Sequence, residues 1–350
     1  VRRLLSLAAL TLGMAAAQAA PSGVLTIRFL DVGQGDSILI TAPTGQTMLV
    51  DGGRSESRMR ELIRQYEVKR LDAVVASHWD SDHITGLVPA VALLKPKLFA
   101  NNGVAATTQV AAKLVNVVQQ AGTQGLLVRG KDQVINLGAV KVTLLAPPPG
   151  VRADEQNVNS VGLLVQFGTF RALMTGDSET EETNGWLRKY APAQLGPVDV
   201  YKSIHHGAAN GDNARWLAAI RPRNVIISVG PNNYGHPTQT ALSLYQKAGA
   251  RVWRTDLQGT ITVSVKPDGS YTVGTEKGKQ TLQGRPVGNP ATAPQPAPAR
   301  PVPTPPPAPA NVTYRSCAEA RAAGAAPLRA GQPGYSRNLD RDGDGVACEK

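Results

Sequence analysis

Two cysteines and five histidines are few for 350 residues, and aromatic side chains make up only 5%. Two cysteines cannot staple a disulfide-dense scaffold. Aromatics this sparse, with none interleaved in a basic run, give no support to recognition by base stacking or by sequence. Beyond residue 20 no apolar run approaches the roughly 20 residues that a membrane-spanning helix needs. What is present suffices for a folded protein: hydrophobic residues reach 42%, which excludes wholesale disorder and allows a large buried core. The formal charge is +11, of which +6 falls on residues 20–283, where 27 basic side chains meet 21 acidic ones. Such a balance favours polyanionic partners but says nothing of fold or chemistry.

The chain begins VRRLLSLAALTLGMAAAQAAPSG. Two arginines, an apolar run of about 13 residues and the small residues around Ala17-Gln18-Ala19 predict a cleavable export signal over residues 1–19. The mature protein is then expected to be soluble and secreted or extracytoplasmic, with no transmembrane segment. Residues 20–283 carry short β-rich runs (VLTIRFLDV, DSILITA, TMLVDGG, LDAVVASH, VKVTLLAP, SVGLLVQFG, FRALMTGD, VDVYKSIHH, NVIISVG, TITVSVKPDGSYTV) and amphipathic helical runs (ESRMRELIRQYEV, QVAAKLVNVVQQA, SETEETNGWLRKY, NARWLAAI, QTALSLYQKAG). Consecutive strands followed by strand–helix alternation predict an α/β domain of two sheets with helices packed outside. Residues 284–311 are rich in Pro and Ala and predict an extended linker. A compact tail, residues 312–350, follows.

All five histidines lie in three short motifs. SHWDSDHITG holds His78, Asp80, Asp82 and His83 directly after an apolar strand; KSIHHG holds His205 and His206; YGHPT holds His236. Four imidazole and carboxylate groups within six residues repel one another unless a multivalent cation joins them. Asp177 is delivered by FRALMTGD into a loop before a helix, and a carboxylate can bridge two cations. Asp51, in LVDGG, reads as a residue that orients a ligand or as a turn-forming Asp; Gly52 and Gly53 let the backbone approach closely.

The first motif resembles the HxHxDH signature of the metallo-β-lactamase superfamily, with Asp80 where the second His usually stands. The ordered series FLDVGQGDSILI, LVDGG, SHWDSDHITGL, NSVGLLVQFGTFRALMTGDSE, KSIHHG and GHPT resembles the hydrolase domain of ComEC-type DNA-uptake proteins over nearly all of residues 24–266. The resemblance implies a four-layer αββα sandwich with these loops at one edge. It makes His78 and Asp80 ligands of one metal, Asp82 and His83 ligands of the other, Asp177 the bridge, and His236 the group that completes the second site. The superfamily's usual intervening His is missing, since residues 84–204 contain none. Asn157, Asn159 and Ser160 stand in the corresponding region and offer mainly oxygen, which favours Mn²⁺ or Mg²⁺ beside Zn²⁺.

Two divalent metal ions, Zn or Mn, would activate a water that Asp82 orients. His205 or His206 would stabilise the phosphate or protonate the leaving oxygen, and strand alternation sends only one of them inward. Lys202 could neutralise a phosphate or belong to a solvated face. Arg58, Arg60, Arg64, Lys69 and Arg70 could follow a phosphate backbone or form a solvated helix face. The expected function is a metal-dependent phosphodiesterase, a non-specific DNase, with DNA or another phosphodiester as substrate. The alternatives are a hydrolase of another ester, cell-wall phosphodiester or lactam, and a non-enzymatic surface-binding protein with structural metals.

In the tail, NLDRDGDGVACE sets Asp340, Asp342 and Asp344 at alternate positions with Gly345 sixth, the start of an EF-hand-like Ca²⁺ loop. A twelfth position falls outside the 350 residues, and Glu349 is the nearest replacement. This ending, with Cys317, resembles the excalibur calcium-binding domain of extracellular bacterial proteins, which suggests attachment to the cell-envelope surface. Such a small unit needs a staple, and Cys317 with Cys348 is the one disulfide available.

Overall fold

The computed structural model describes residues 23–286, 313–323, 325–341 and 345–348. They fall into two compact units, divided between residues 293 and 294. The predicted export signal, most of the predicted linker, and Asp342, Asp344 and Glu349 lie outside the described residues.

The larger unit is built on two sheets. Strands β1 (Leu25–Phe29), β2 (Ile38–Thr41), β3 (Thr47–Val50), β4 (Ala73–Val75), β5 (Leu98–Asn101) and β6 (Gln124–Leu127) begin the first. The second follows with β7 (Gln133–Leu137), β8 (Val140–Leu145), β9 (Gly162–Phe167), β10 (Phe170–Met174), β11 (Val198–Lys202), β12 (Pro222–Ile227) and β13 (Arg251–Arg254). The chain then returns to the first sheet through β14 (Ile261–Val265), β15 (Tyr271–Thr275) and β16 (Thr281–Gly284). The strand orders are β16-β15-β14-β1-β2-β3-β4-β5-β6 and β13-β12-β11-β10-β9-β8-β7.

Period-2 alternation explains the layers. On β3, Met48 and Val50 face the space between the sheets while Leu49 faces outward; Ala73 and Val75 on β4 face inward and Val74 outward. Both faces of these strands are buried, so they read as continuous apolar runs. The inner faces form one core. The outer face of the first sheet packs on Met59, Leu62, Leu87, Val91 and Leu114 from helices Glu56–Gln65, Leu87–Leu94 and Gln109–Gln120. The outer face of the second packs on Trp186, Trp216, Leu217 and Tyr245 from helices Thr180–Lys189, Ala214–Ile220 and Gln239–Lys247. Three cores separate four layers, and the architecture is the αββα sandwich.

Some boundaries differ from the sequence reading. β11 ends at Lys202, short of the two histidines, and TITVSVKPDGSYTV is a hairpin, β14 and β15, turned at Gly269 with φ 84°. β16 runs to Gly284, one residue into the predicted linker.

The smaller unit is a helix, Cys317–Ala322, beside a ladder of Leu328–Arg329 with Val346–Ala347, around Ala320, Leu328 and Ala347. Cys317 and Cys348 form the expected disulfide, with Cα atoms 5.1 Å apart. Asp340 is buried, and its Oδ2 accepts from Gly345 N at 3.0 Å and from the Tyr335 hydroxyl at 2.7 Å.

Phe170 on β10 meets Tyr271 on β15 edge-on across the sandwich at 5.3 Å, and the Tyr271 hydroxyl accepts from Asn224 of β12. Truncating a buried aromatic here removes a contact that ties the sheets together. Phe170→Ala is expected to lower stability by about 3–5 kcal/mol, measured by urea unfolding of the folded chain.

Candidate functional site

Parallel pairing of β3 with β4, of β10 with β11 and of β11 with β12 brings their C-terminal ends to one edge. Asp51 follows β3, His78 and His83 follow β4, Asp177 follows β10, and the two adjacent histidines follow β11. A Cβ added at Gly86 would lie 1.9 Å from the Gly52 carbonyl oxygen. That close approach lets Gly52 N donate to the His83 carbonyl at 2.6 Å and Gly86 N to the Gly53 carbonyl at 3.0 Å. The expected role of the Gly pair is thus visible.

Asp51 has a left-handed backbone, φ 56°. Its carboxylate accepts from Ser77 N at 2.8 Å and Ser77 Oγ at 2.7 Å, and lies 3.0 Å from His83 Nδ1. With Nδ1 so engaged, His83 turns Nε2 toward Asp177 Oδ2 at 3.2 Å. His206 repeats the device. Its Nδ1 donates to the Ser228 carbonyl at 2.9 Å, and its Nε2 lies 3.2 Å from Asp177 Oδ2 and 3.4 Å from Asp82 Oδ2. His78 Nδ1 meets Ser77 Oγ at 3.0 Å, and its Nε2 lies 3.6 Å from Asp80.

Strand alternation does not separate His205 from His206. Both have left-handed backbones, φ 50° and 55°, in a turn beyond the strand. Both imidazoles therefore reach Asp177, His205 Nε2 at 3.8 Å and partly exposed, His206 fully enclosed. Donor atoms of Asp82, His83 and His206 lie within 4.8 Å of one another, as do those of His78, His83 and Asp177. His236 joins no such group among the described residues, and neither does Asp80. His236 instead packs its ring 5.5 Å from that of His205. The donor atoms that lie beside Asp82 and His83 are thus those of His206.

Lys202 is not on a solvated face. It is fully buried, forms an ion pair with Asp36, donates to the Gly176 carbonyl at 3.1 Å and lies 3.6 Å from Asp177. Asp36, in the loop between β1 and β2, was absent from the sequence-derived site. Its only signal was an acid set between Gly35 and an apolar strand. Asn159 is committed elsewhere, its Nδ2 donating to the Arg152 and Glu155 carbonyls, both at 2.7 Å. Ser160 Oγ accepts from Asp177 N at 3.2 Å, whereas Asn157 Oδ1 is buried with no hydrogen-bond partner among the described residues. Acids engage three of the five basic residues near the first helix: Arg58 pairs with Glu61, Arg60 with Glu56 and Arg70 with Asp72.

The cluster fits a pair of divalent cations. Nε2 of His78, His83 and His206, with Oδ1 of Asp177, are buried and make no hydrogen bond among the described residues. Buried polar atoms are rarely left so. Asp36 and Asp177 pair with the Lys202 ammonium, while Asp51, Asp80 and Asp82 lie against His83, His78 and His206; with neutral imidazoles, five carboxylates against one ammonium leave an excess that two divalent charges would match. Without that charge, protons take its place. Burial lowers the pKa of His83, but Asp177 and Asp51 outweigh it and raise it well above the ordinary value. Burial likewise lowers that of His206, and Asp177 and Asp36 raise it well above normal. Burial would raise the Asp177 pKa, yet His206, His83 and Lys202 hold it far down.

These shifts fix a sign. Imidazoles with raised values stabilise the metal-free fold at low pH, and that contribution fades as pH rises through the raised values. A metal must displace the same protons, so its affinity grows with pH. Calorimetric titration with Mn²⁺ or Zn²⁺ is expected to give an affinity at pH 8 about tenfold or more above that at pH 6.

Comparison with known proteins adds the chain's family. The Excalibur calcium-binding domain model matches residues 314–349. The chain is 28% identical to the ComE operon protein 3 of Bacillus subtilis over 271 residues, which span 69% of this chain and 33% of that protein. It is 26% identical to the Competence protein ComA of Neisseria gonorrhoeae over 251 residues, 70% of this chain and 33% of that one. The chain thus spans about a third of the curated relatives it matches. Among solved structures, the metallo-beta-lactamase fold protein YhfI of Bacillus subtilis aligns with a TM-score of 0.47 at 14% identity, covering 68% of this chain and 99% of that one. The Metallo-beta-lactamase superfamily model matches residues 30–230, more than half of the sequence, and the chain belongs to that superfamily.

Proposed function

We propose that this protein is a metal-dependent phosphodiesterase acting on DNA without sequence preference, working outside the cytoplasm with a calcium-binding tail. The observation that carries the reading is the convergence of Asp82, His83, Asp177 and His206 on one buried cluster with the partly exposed His205 at its edge. When bound, the ions supply Lewis acidity: they acidify water and draw charge from a phosphoryl oxygen. His78, His83, His206 and Asp177 would hold them, with Asp82 at the solvent side, its side chain 26% exposed.

The chain's own groups do the rest. Asp82 accepts a hydrogen bond from the attacking water and fixes its direction. Lys202 neutralises Asp36 and Asp177 from behind and makes no substrate contact, because it is fully enclosed. Asp51 holds His83, and the Ser228 carbonyl holds His206, in the tautomer that turns Nε2 inward. His205 is left for the substrate. Burial lowers its pKa, which makes its imidazolium a stronger acid, suited to give a proton to the departing sugar oxygen.

One relative is a competence protein, and competence handles DNA, which supports this substrate class over a lactam or another ester. A purely structural metal site would be closed to solvent, whereas Asp80, Asp82 and His205 are partly exposed. The Excalibur match and the Cys317–Cys348 disulfide support an oxidising, extracytoplasmic setting.

The test is degradation of plasmid and single-stranded DNA by purified chain with Mn²⁺, Mg²⁺ or Zn²⁺, beside a nitrocefin assay. DNA is expected to be cut and nitrocefin left intact. Asp82→Ala is expected to abolish cutting, and His205→Ala to slow it by about 10²–10⁴. Hydrolysis of nitrocefin with intact DNA, or identical behaviour of Asp82→Ala, would overturn the reading.

A further inference from the structure

The geometry points to Tyr234 as a stacking platform for a nucleobase of the strand being cut, a subsite that rests on the phosphodiesterase reading above. Tyr234 is 68% exposed, one of the few large apolar side chains so placed among the described residues. A single exposed aromatic is ordinary, but this one is held in place and joined to the site. Asn232 Oδ1 accepts from Tyr234 N at 3.0 Å and from His236 N at 3.1 Å, while Asn232 Nδ2 donates to the carbonyls of Gly230 and His236, both at 2.9 Å. One side chain thus fixes the loop in a single shape and leaves the Tyr234 ring pointing to solvent.

Ring contacts lead from there to the cluster. The Tyr234 and His236 rings are 5.7 Å apart and inclined at 32°, the His236 and His205 rings are 5.5 Å apart, and His205 Nε2 is 3.8 Å from Asp177. A phosphodiester at His205 and Asp82 therefore has an exposed aromatic face within reach of the adjoining nucleotide. Every base offers a π-face, so such a contact adds affinity without sequence preference. It also gives His236 a role other than metal ligand: its ring backs the platform and sets its distance from His205.

The experiment pairs Tyr234→Ala with an abasic nucleotide scanned along a single-stranded oligonucleotide, using the metal-loaded full chain. For the native protein, an abasic residue beside the cut is expected to raise KM about tenfold. Tyr234→Ala is expected to raise KM by a similar factor on the complete oligonucleotide and to lose the abasic penalty, the non-additivity of a shared contact. Tyr234→Phe and Tyr234→Trp are expected to restore native behaviour. A readout independent of turnover uses a phosphorothioate oligonucleotide carrying 2-aminopurine, whose fluorescence should be quenched by the native protein, Tyr234→Phe and Tyr234→Trp but not by Tyr234→Ala. Equal quenching by Tyr234→Ala, absence of quenching by the native protein, or an abasic penalty that survives in Tyr234→Ala would overturn the platform. If the native protein cuts no phosphodiester, the proposed function fails, and the quenching measurement still decides the platform.

Discussion

Asp36, Asp51 and Asp177 are enclosed at one edge of the sandwich within reach of the same histidines, and like charges withdrawn from water repel strongly. The arrangement holds only because positive charge is built in around it. Lys202 supplies one fixed unit from behind, touching Asp36 and Asp177. The imidazoles of His83 and His206 supply the remainder as bound protons or as ligands of a cation. Replacing the carboxylates with apolar groups would suit the fold better, since buried ion pairs seldom repay their desolvation. Their presence is therefore a statement about chemistry.

The fold meets this demand by placing the charges where backbone geometry changes. Asp51, His78, Asp177, His205 and His206 lie just beyond strand ends, and Asp51, His205 and His206 adopt left-handed backbones that an L-residue adopts at a cost. Interlocked main chain around Gly52 and Gly86 holds the loops in register, and apolar cores on both sides of each sheet anchor the strands that carry them. Rigid elements outside and strained turns inside give imidazoles whose outward nitrogens are pinned and whose inward nitrogens are free to bind.

Much of this was legible in the sequence. The three histidine motifs and Asp177 stood out as residue types at strand ends, Asp51 read either as an orienting residue or as a turn former, and the buried strands stood out as apolar runs. The edge strands β6, β7, β13 and β16 did not. Each has only one neighbour and a solvated face, so its pattern is weak, as the exposed Gln124 and Leu127 of β6 illustrate. Helix Leu87–Leu94 was hidden for the opposite reason: apolar on nearly every side, it shows no helical stripe. Asp36 went unnoticed because its partner, Lys202, is distant in sequence. His205 and His206 both reach Asp177 because the turn after β11 abolishes the alternation that a strand reading assumes. Tyr234 is one of eight tyrosines, and composition alone argued against stacking; only its position beside His236 singles it out.

The central claim is that the buried carboxylate–imidazole cluster is a site for two divalent ions. Elemental analysis of the purified full chain after loading with Mn²⁺ or Zn²⁺ and desalting tests it most directly, with Asp177→Ala measured in parallel and calcium counted separately. The account predicts two transition-metal ions per native chain and a marked loss in Asp177→Ala. A native chain that retains none, or that binds the same amount with and without Asp177, would contradict it.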